Sequence, residues 1–272
     1  MILAIDIGNT TIALAGFTNN DTPLFVHRLE SDRTMQVSHC MEHIQGMLRE
    51  KEVAISSFSG AVLSSVVPAL DEVLVCALSN LGIQTMKVDV TMDTGIRIRD
   101  YDVRTLGQDR IVDAVSALSR WKPPLIIFDL GTATTVSVLD AEGCFVGGMI
   151  LPGLRLCVDA LSSRTAQLPY VDLEEGSPTS VIGKDTVSCL RNGAIIGTAA
   201  MIDGIAQRIQ TEFERPVTIV ATGGQCKRVL PWCSSQVQFD EHLLLRGLYQ
   251  IYCRHETITK LHAENVLKRP AI

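Results

Sequence analysis

"AIDIGNTTIAL" at residues 4–14 and "IFDLGTATTVSV" at residues 127–138 follow the same plan. Each runs an apolar strand into an aspartate, Asp6 or Asp129, then turns through a glycine and small polar residues into a second apolar strand. A plain hairpin needs only the turn, with the Asp side chain bonding its own backbone two residues on. An acid repeated at the same place in two such turns, 123 positions apart in a chain of 272, calls for another reason. Glycine-bearing strand turns present backbone N–H groups to phosphate oxygens, and Gly8 lets a ligand come close. The hydroxyls of Thr10, Thr11, Thr132, Thr134 and Thr135 add donors. A carboxylate beside a phosphate is repelled unless a cation stands between them, and Mg²⁺ carried by a nucleoside triphosphate is the natural one. The duplicated turn therefore predicts a nucleotide cleft.

Outward from each turn the plan continues. Three short strands read around "ILAID", "TIALAGF" and "PLFVHRL", followed by helical spacing over 35–50 in Met35, Val37, Met41, Ile44, Met47 and Leu48. "GAVLSSVVP" (60–68) reads as a buried strand closed by Pro68, "ALDEVLVCALSNLG" (69–82) as a helix ending at Gly82, and 85–90 as another strand. In the second half, 124–140 gives strand, turn and strand, 144–151 a third strand, and 152–161 a helix with a proline in its first turn. A long helical region at 184–213, a strand in 216–224 and a last helix over 241–253 follow. The expected architecture is α/β, with two similar domains of mixed sheets flanked by helices: 1–118, 119–253, and a peripheral tail at 254–272.

Composition bounds the function. Apolar residues make up 46% and charged residues 20%, as in an ordinary globular enzyme. A net charge of −6 with no run of five like charges argues against a nucleic-acid surface. The eight cysteines form no Cys-x-x-Cys pair and read as reduced thiols of a cytoplasmic protein. His39 and His43 lie four apart, with no third ligand evident nearby, and read as positions on an amphipathic helix. Asp6 interrupts the first apolar run, so no signal peptide is expected, and no run approaches a membrane span.

The two turns resemble the phosphate loops of the superfamily that holds actin, hexokinase, Hsp70 and acetate kinase. "GQDR" (107–110), "GGMILPG" (147–153), "LSSRTAQLP" (161–169), "IGKDT" with "NG" (182–197) and "ATGG" (221–224) narrow the likeness. In this order they resemble type III pantothenate kinase over residues 1 to about 253. The resemblance implies ribonuclease-H-like domains and ATP-dependent phosphorylation of pantothenate to 4'-phosphopantothenate, the first step of coenzyme A biosynthesis. It also implies a homodimer that acts on small molecules, with neither nucleic acid nor membrane as partner. Asp109 would be the general base that takes the proton of the pantothenate hydroxyl. From the residues alone, Asp109 reads as a helix-start acid and Arg110 as a solvated helix charge; the resemblance reverses that reading. Asp6, Gly8, Asn9, Thr10, Thr11 and Thr132 would bind the phosphates of Mg-ATP, and Asp129 a monovalent cation, K⁺ or NH₄⁺. Tyr101, Gly107, Gln108, Asp109, Arg110 and Thr186 would contact pantothenate, while Gly223 and Gly224 would lie toward the nucleoside.

Three departures from the family pattern stand out. Tyr101 lacks the proline that usually follows, Gln108 replaces a commoner alanine, and 254–272 extends past the usual end. The alternatives are a non-enzymatic accessory factor affecting transcription, a label related sequences have carried, and a kinase of the same superfamily acting on another small hydroxy acid. Lack of a helix-turn-helix signal counts against direct DNA binding.

Overall fold

The computed structural model describes residues 1–89 and 92–267, and of 261–267 the backbone alone. The elements are β1 (Ile2–Ile7), β2 (Thr11–Phe17), β3 (Pro23–Glu30), α1 (Val37–Glu50), β4 (Gly60–Ser65), α2 (Pro68–Asn80), β5 (Thr85–Lys87) and α3 (Gln108–Arg120). There follow β6 (Leu125–Leu130), β7 (Ala133–Leu139), β8 (Phe145–Pro152), α4 (Leu154–Arg164), α5 (Thr186–Gln210), β9 (Thr218–Thr222), α6 (Cys226–Val229), β10 (Val237–Phe239) and α7 (Leu243–Leu267). They divide between two compact units. The first holds Met1–Ile96, Asp102–Ser116 and the chain from Leu243; the second holds Arg97–Tyr101 and Ala117–His242.

The first unit is built on a five-stranded sheet of order β3-β2-β1-β4-β5. β2 runs antiparallel to both β1 and β3, while β4 lies parallel to β1 and β5 parallel to β4. Alternate side chains of a strand point to opposite faces, and here both faces are covered. Leu3, Ile5, Ile7, Ile12, Leu14 and Leu63 meet Ile44, Met47 and Leu48 of α1 and Leu70, Leu74 and Leu78 of α2. Ile2, Ala4, Ala15, Phe17 and Val62 meet Val112 of α3 and Leu245, Leu248, Tyr249 and Ile251 of α7. Each fully buried valine, leucine, isoleucine, phenylalanine or methionine among them contributes about 1.5–3 kcal/mol. The Phe17 and Tyr249 rings stack at 4.8 Å, and the Tyr249 hydroxyl donates to the Thr18 carbonyl at 2.6 Å. Gly247 lets α7 approach α3, since a side chain there would overlap the Val112 carbonyl.

The second unit repeats the topology in a sheet of order β10-β9-β6-β7-β8. Its antiparallel trio is β6, β7 and β8, with β9 parallel to β6 and β10 parallel to β9. Ile126, Phe128, Leu130, Val136 and Ala221 pack with Leu154 and Val158 of α4 and Ile195, Ala199, Ile202 and Ala206 of α5. β1 and β6 share one residue-by-residue burial pattern, and so do β2 and β7. The echo heard in the sequence is thus a repeat of buried positions.

Several boundaries differ from expectation. α7 continues to Leu267 and belongs to the first unit, whereas the sequence reading ends that helix at 253 and counts it with the second half. The reason is tertiary: its apolar face completes the cover of β1, β2 and β4, a sheet the sequence does not name. Arg254, at the start of the expected tail, is tied to the Asp93 carboxylate at 3.0 Å and 3.1 Å. Residues 268–272 of that tail and residue 90 of the strand expected over 85–90 lie outside the described residues. Pro68 opens α2 instead of closing β4, because its fixed φ suits a first helical turn and its missing N–H costs nothing there. Among the described residues, no helix is long and apolar enough to cross a membrane.

Candidate active site

Asp6 is the penultimate residue of β1, half-buried between buried Ile5 and Ile7. The turn that follows is closed by Gly8 N–H donating to the Thr11 carbonyl at 3.0 Å, leaving Asn9 and Thr10 exposed at its tip. Two residues that the sequence reading did not single out brace it. The Ser31 hydroxyl donates to the Gly8 carbonyl at 2.6 Å, and an Arg33 guanidinium N–H donates to Asn9 Oδ1 at 3.2 Å. Both lie more than twenty positions away at the exit of β3, and no local pattern links them to the turn. Arg33 brings an exposed positive charge to a turn expected to meet phosphate.

The "GQDR" element opens α3 in the same unit. Asp109, Val112, Asp113 and Ser116 are spaced three, four and seven apart and so share one helical stripe. Val112 of that stripe packs on the sheet face that also carries Ala4, two residues before Asp6. Asp109 therefore extends toward the side of the sheet on which Asp6 stands. Its carboxylate lies back over Gly107, where any side chain would collide with Asp109 Oδ1. Arg110 is 5% exposed, which removes the reading of a solvated helix charge. Gln108 is half-buried, and its side-chain carbonyl oxygen is enclosed with no hydrogen-bond partner among the described residues.

The remaining expected site residues lie in the second unit. Asp129 is the penultimate residue of β6, the counterpart of Asp6, and Thr132 is exposed in the turn beyond it. Gly223 makes room for the Asp129 carboxylate. Gly223 has φ +101°, and a Cβ there would come within 2.6 Å of Asp129 Oδ1. Gly153, which precedes α4, lets the Gly131 and Thr132 carbonyls approach, since a Cβ would overlap both. Tyr101 packs edge-on against Phe145, with centroids 5.4 Å apart, and lies against Gly147 of β8. Thr186 is the exposed first residue of α5, after the Asp185 cap that accepts from Ser188 N–H at 2.9 Å. That backbone bond, with the Ser188 hydroxyl, holds the Asp185 carboxyl below its ordinary value. Asn192 steadies the approach to this cap by donating to the Ser180 carbonyl at 2.7 Å.

The donor chemistry fits a magnesium-bearing nucleotide, since a hard cation takes oxygen ligands. Asp6 offers a carboxylate, and its sheet neighbour Ser64 holds a fully buried hydroxyl with no hydrogen-bond partner among the described residues. Among the described residues, no group of three or more His, Cys, Asp or Glu is placed to hold a metal ion. A cation here therefore takes phosphate and water oxygens beside fewer than three such protein groups. A surface pocket of about 620 Å³ in the first unit lies at the opposite end of the sheet, lined by Met1, Thr18, Ser59, Tyr249 and Tyr252. It shares no residue with the turn or with Gly107–Arg110.

A family model described as type III pantothenate kinase matches residues 2–208. Curated type III pantothenate kinases are similar across nearly their whole length. That of Moorella thermoacetica is 35% identical over 257 residues, covering 94% of this chain and all of the relative. That of Rhodospirillum centenum is 36% identical over 261 residues, covering 94% and 99%. Among solved structures, a Campylobacter jejuni protein described as a Baf family transcriptional activator superposes with TM-score 0.54 at 18% identity, covering 94% of this chain and 99% of that one. Component A of the (R)-2-hydroxyglutaryl-CoA dehydratase of Acidaminococcus fermentans gives 0.56 at 13% identity, covering 92% and 96%. At such identities these two structures speak for the fold alone.

Proposed function

Because the chain belongs to the type III pantothenate kinase family, we propose that it phosphorylates pantothenate from Mg-ATP with Asp109 as general base. The observation that carries this reading is the placement of Asp109. It stands at the first turn of α3, on the stripe facing the Asp6 side of the sheet, over a glycine that leaves it room.

Phosphoryl transfer asks little covalent help of a protein; positioning and charge stabilisation do most of the work. Bound magnesium nucleotide supplies the transferable phosphoryl group with part of its charge neutralised. In the proposed reaction, an Asp109 carboxylate oxygen takes the proton of the primary hydroxyl of pantothenate. The hydroxyl oxygen forms its bond to the γ-phosphorus, the bond from that phosphorus to the bridging oxygen breaks, and ADP leaves. Gly8, Asn9, Thr10 and Thr11 hold phosphate oxygens at the first turn, with Asp6 toward the cation and Thr132 also touching the nucleotide. Asp129 takes the monovalent cation, K⁺ or NH₄⁺. Arg110 offers its planar fork of donors to the anionic substrate, while Tyr101, Gly107, Gln108 and Thr186 complete its contacts.

The same reading includes a homodimer in the cytoplasm. Exposed apolar side chains on the second unit support a partner surface: Met149 and Ile150 on the edge strand β8, Leu156 and Leu161 on α4, and Val181 and Ile182 before α5. A transcriptional role draws only on a likeness of fold at 18% identity.

Asp109→Asn tests the assignment. The amide keeps the volume and removes the base, so folding is expected to hold while phosphorylation falls by roughly 10²–10⁴. Wild-type turnover in that variant would remove Asp109 from the mechanism.

A further inference from the structure

The face of the first sheet covered by α3 and α7 carries one row of side chains that ends unlike it begins. β1 and β4 run parallel in register, pairing Ile2 with Gly60, Ala4 with Val62, and Asp6 with Ser64. In-register neighbours on adjacent strands point to the same face across about 4.8 Å. The row is therefore apolar until its last step, where a carboxylate stands beside a hydroxyl. On its other side Asp6 pairs with Ala13 of β2, which has no polar side-chain atom. Of the two sheet neighbours of Asp6, only Ser64 can form a hydrogen bond through its side chain.

Ser64 is 0% exposed, and its Oγ has no hydrogen-bond partner among the described residues. The adjacent Ser65 has an ordinary structural explanation, accepting the Val67 N–H at 3.0 Å on the way into α2. Ser64 has no such use. A hydroxyl enclosed without a partner is less favourable than a methyl group in the same place. Such an orphan calls for a reason, and the neighbouring carboxylate supplies one.

We propose that Ser64 is a positioning residue for Asp6. When magnesium nucleotide is bound, the Ser64 hydroxyl donates to the Asp6 carboxylate, directly or through a water of the cation, and fixes its orientation toward the metal. Rotation about the Ser64 Cα–Cβ bond aims the hydroxyl without moving either strand. Metal-facing carboxylates are steadied by such outer hydrogen bonds, which tune affinity. The inference rests on the kinase reading, because it gives Asp6 a cation to face.

Ser64→Ala separates this role from a structural one. A serine that merely fills space becomes a methyl group at no loss, so the melting temperature without nucleotide stays level or rises on either view. If Ser64 steadies Asp6, calorimetry with Mg²⁺ and a non-hydrolysable ATP analogue gives a Kd raised roughly five- to tenfold, the factor of one ordinary hydrogen bond. With EDTA in place of magnesium, the Kd for the same analogue matches wild type. An unchanged Kd with magnesium overturns the proposal while leaving the kinase reading standing. A wild-type protein that binds no magnesium nucleotide removes both. If alanine prevents folding, Ser64→Cys, close in volume and a far weaker donor, makes the same comparison; wild-type affinity there overturns the proposal.

Discussion

Replacing Gly107 by alanine puts one methyl group where the Asp109 carboxylate lies. The Cβ overlaps Asp109 Oδ1, and Gly107 lies outside the left-handed region, so the backbone itself accepts alanine. The carboxylate is the end of a short side chain and can swing aside. Moving it off its preferred rotamer costs about 0.5–1.5 kcal/mol, while Gly→Ala at a compatible position returns about 0.4–1 kcal/mol through the unfolded chain. Net stability should therefore stay within ~1 kcal/mol of wild type. Catalysis is less forgiving: displacing a reacting group by about 1 Å costs on the order of 10²-fold, or ~2.7 kcal/mol of barrier. Steady-state ADP release should show kcat lowered about a hundredfold, with denaturant midpoints little changed. The double variant Gly107→Ala/Asp109→Asn should be no slower than Asp109→Asn alone, because both lose the same group. Wild-type kcat in Gly107→Ala, or additive losses in the double variant, would show that catalysis does not depend on where this glycine lets the Asp109 carboxylate lie.

The other predictions concern the cation, the second turn and pH. Replacing KCl by NaCl should remove most of the activity, and Asp129→Asn should make the two salts equivalent; full activity of wild type in sodium alone counts against a cation at Asp129. Gly223→Ala forces a side chain into φ +101° and against Leu130 backbone atoms at 2.7 Å, so its melting temperature should fall by several degrees. A level melting temperature would show that the close approach is tolerated. Burial and the neighbouring Cys253 push the Tyr249 phenol up from 10.0 to about 12. Its folded-state value lies above the unfolded one, so its contribution is intact below pH 10 and is lost as pH rises through about 12. Tyr249→Phe should flatten the stability curve over that window, and an unchanged slope would refute the assignment.

What was legible in the sequence was local or repeated. Asp6 and Asp129 announced themselves because each interrupts an apolar strand just before a glycine turn, and the plan occurs twice. The paired sheets followed, since the order of apolar runs is the same in both halves. Groups that matter only through tertiary neighbours stayed hidden. Ser31 and Arg33 brace the first turn from the far end of β3, and nothing in "SDRT" marks them for it. Ser64 reads as one residue of a buried strand until the register places it beside Asp6. The apolar spacing of Leu245, Leu248 and Ile251 gives a helix, but not which sheet it covers; that choice returned α7 to the first unit. β10 has three residues, too few to show an alternation.

Transfer of a phosphoryl group from ATP to pantothenate through Asp109 is the proposed reaction. Its most direct test is mass spectrometry of product after incubating purified protein with Mg-ATP, KCl and pantothenate, beside a panel of other small hydroxy acids. The account predicts 4'-phosphopantothenate from wild type, little or none from Asp109→Asn, and no comparable product from the panel. No phosphopantothenate from folded wild-type protein, or a faster reaction with another hydroxy acid, would contradict it.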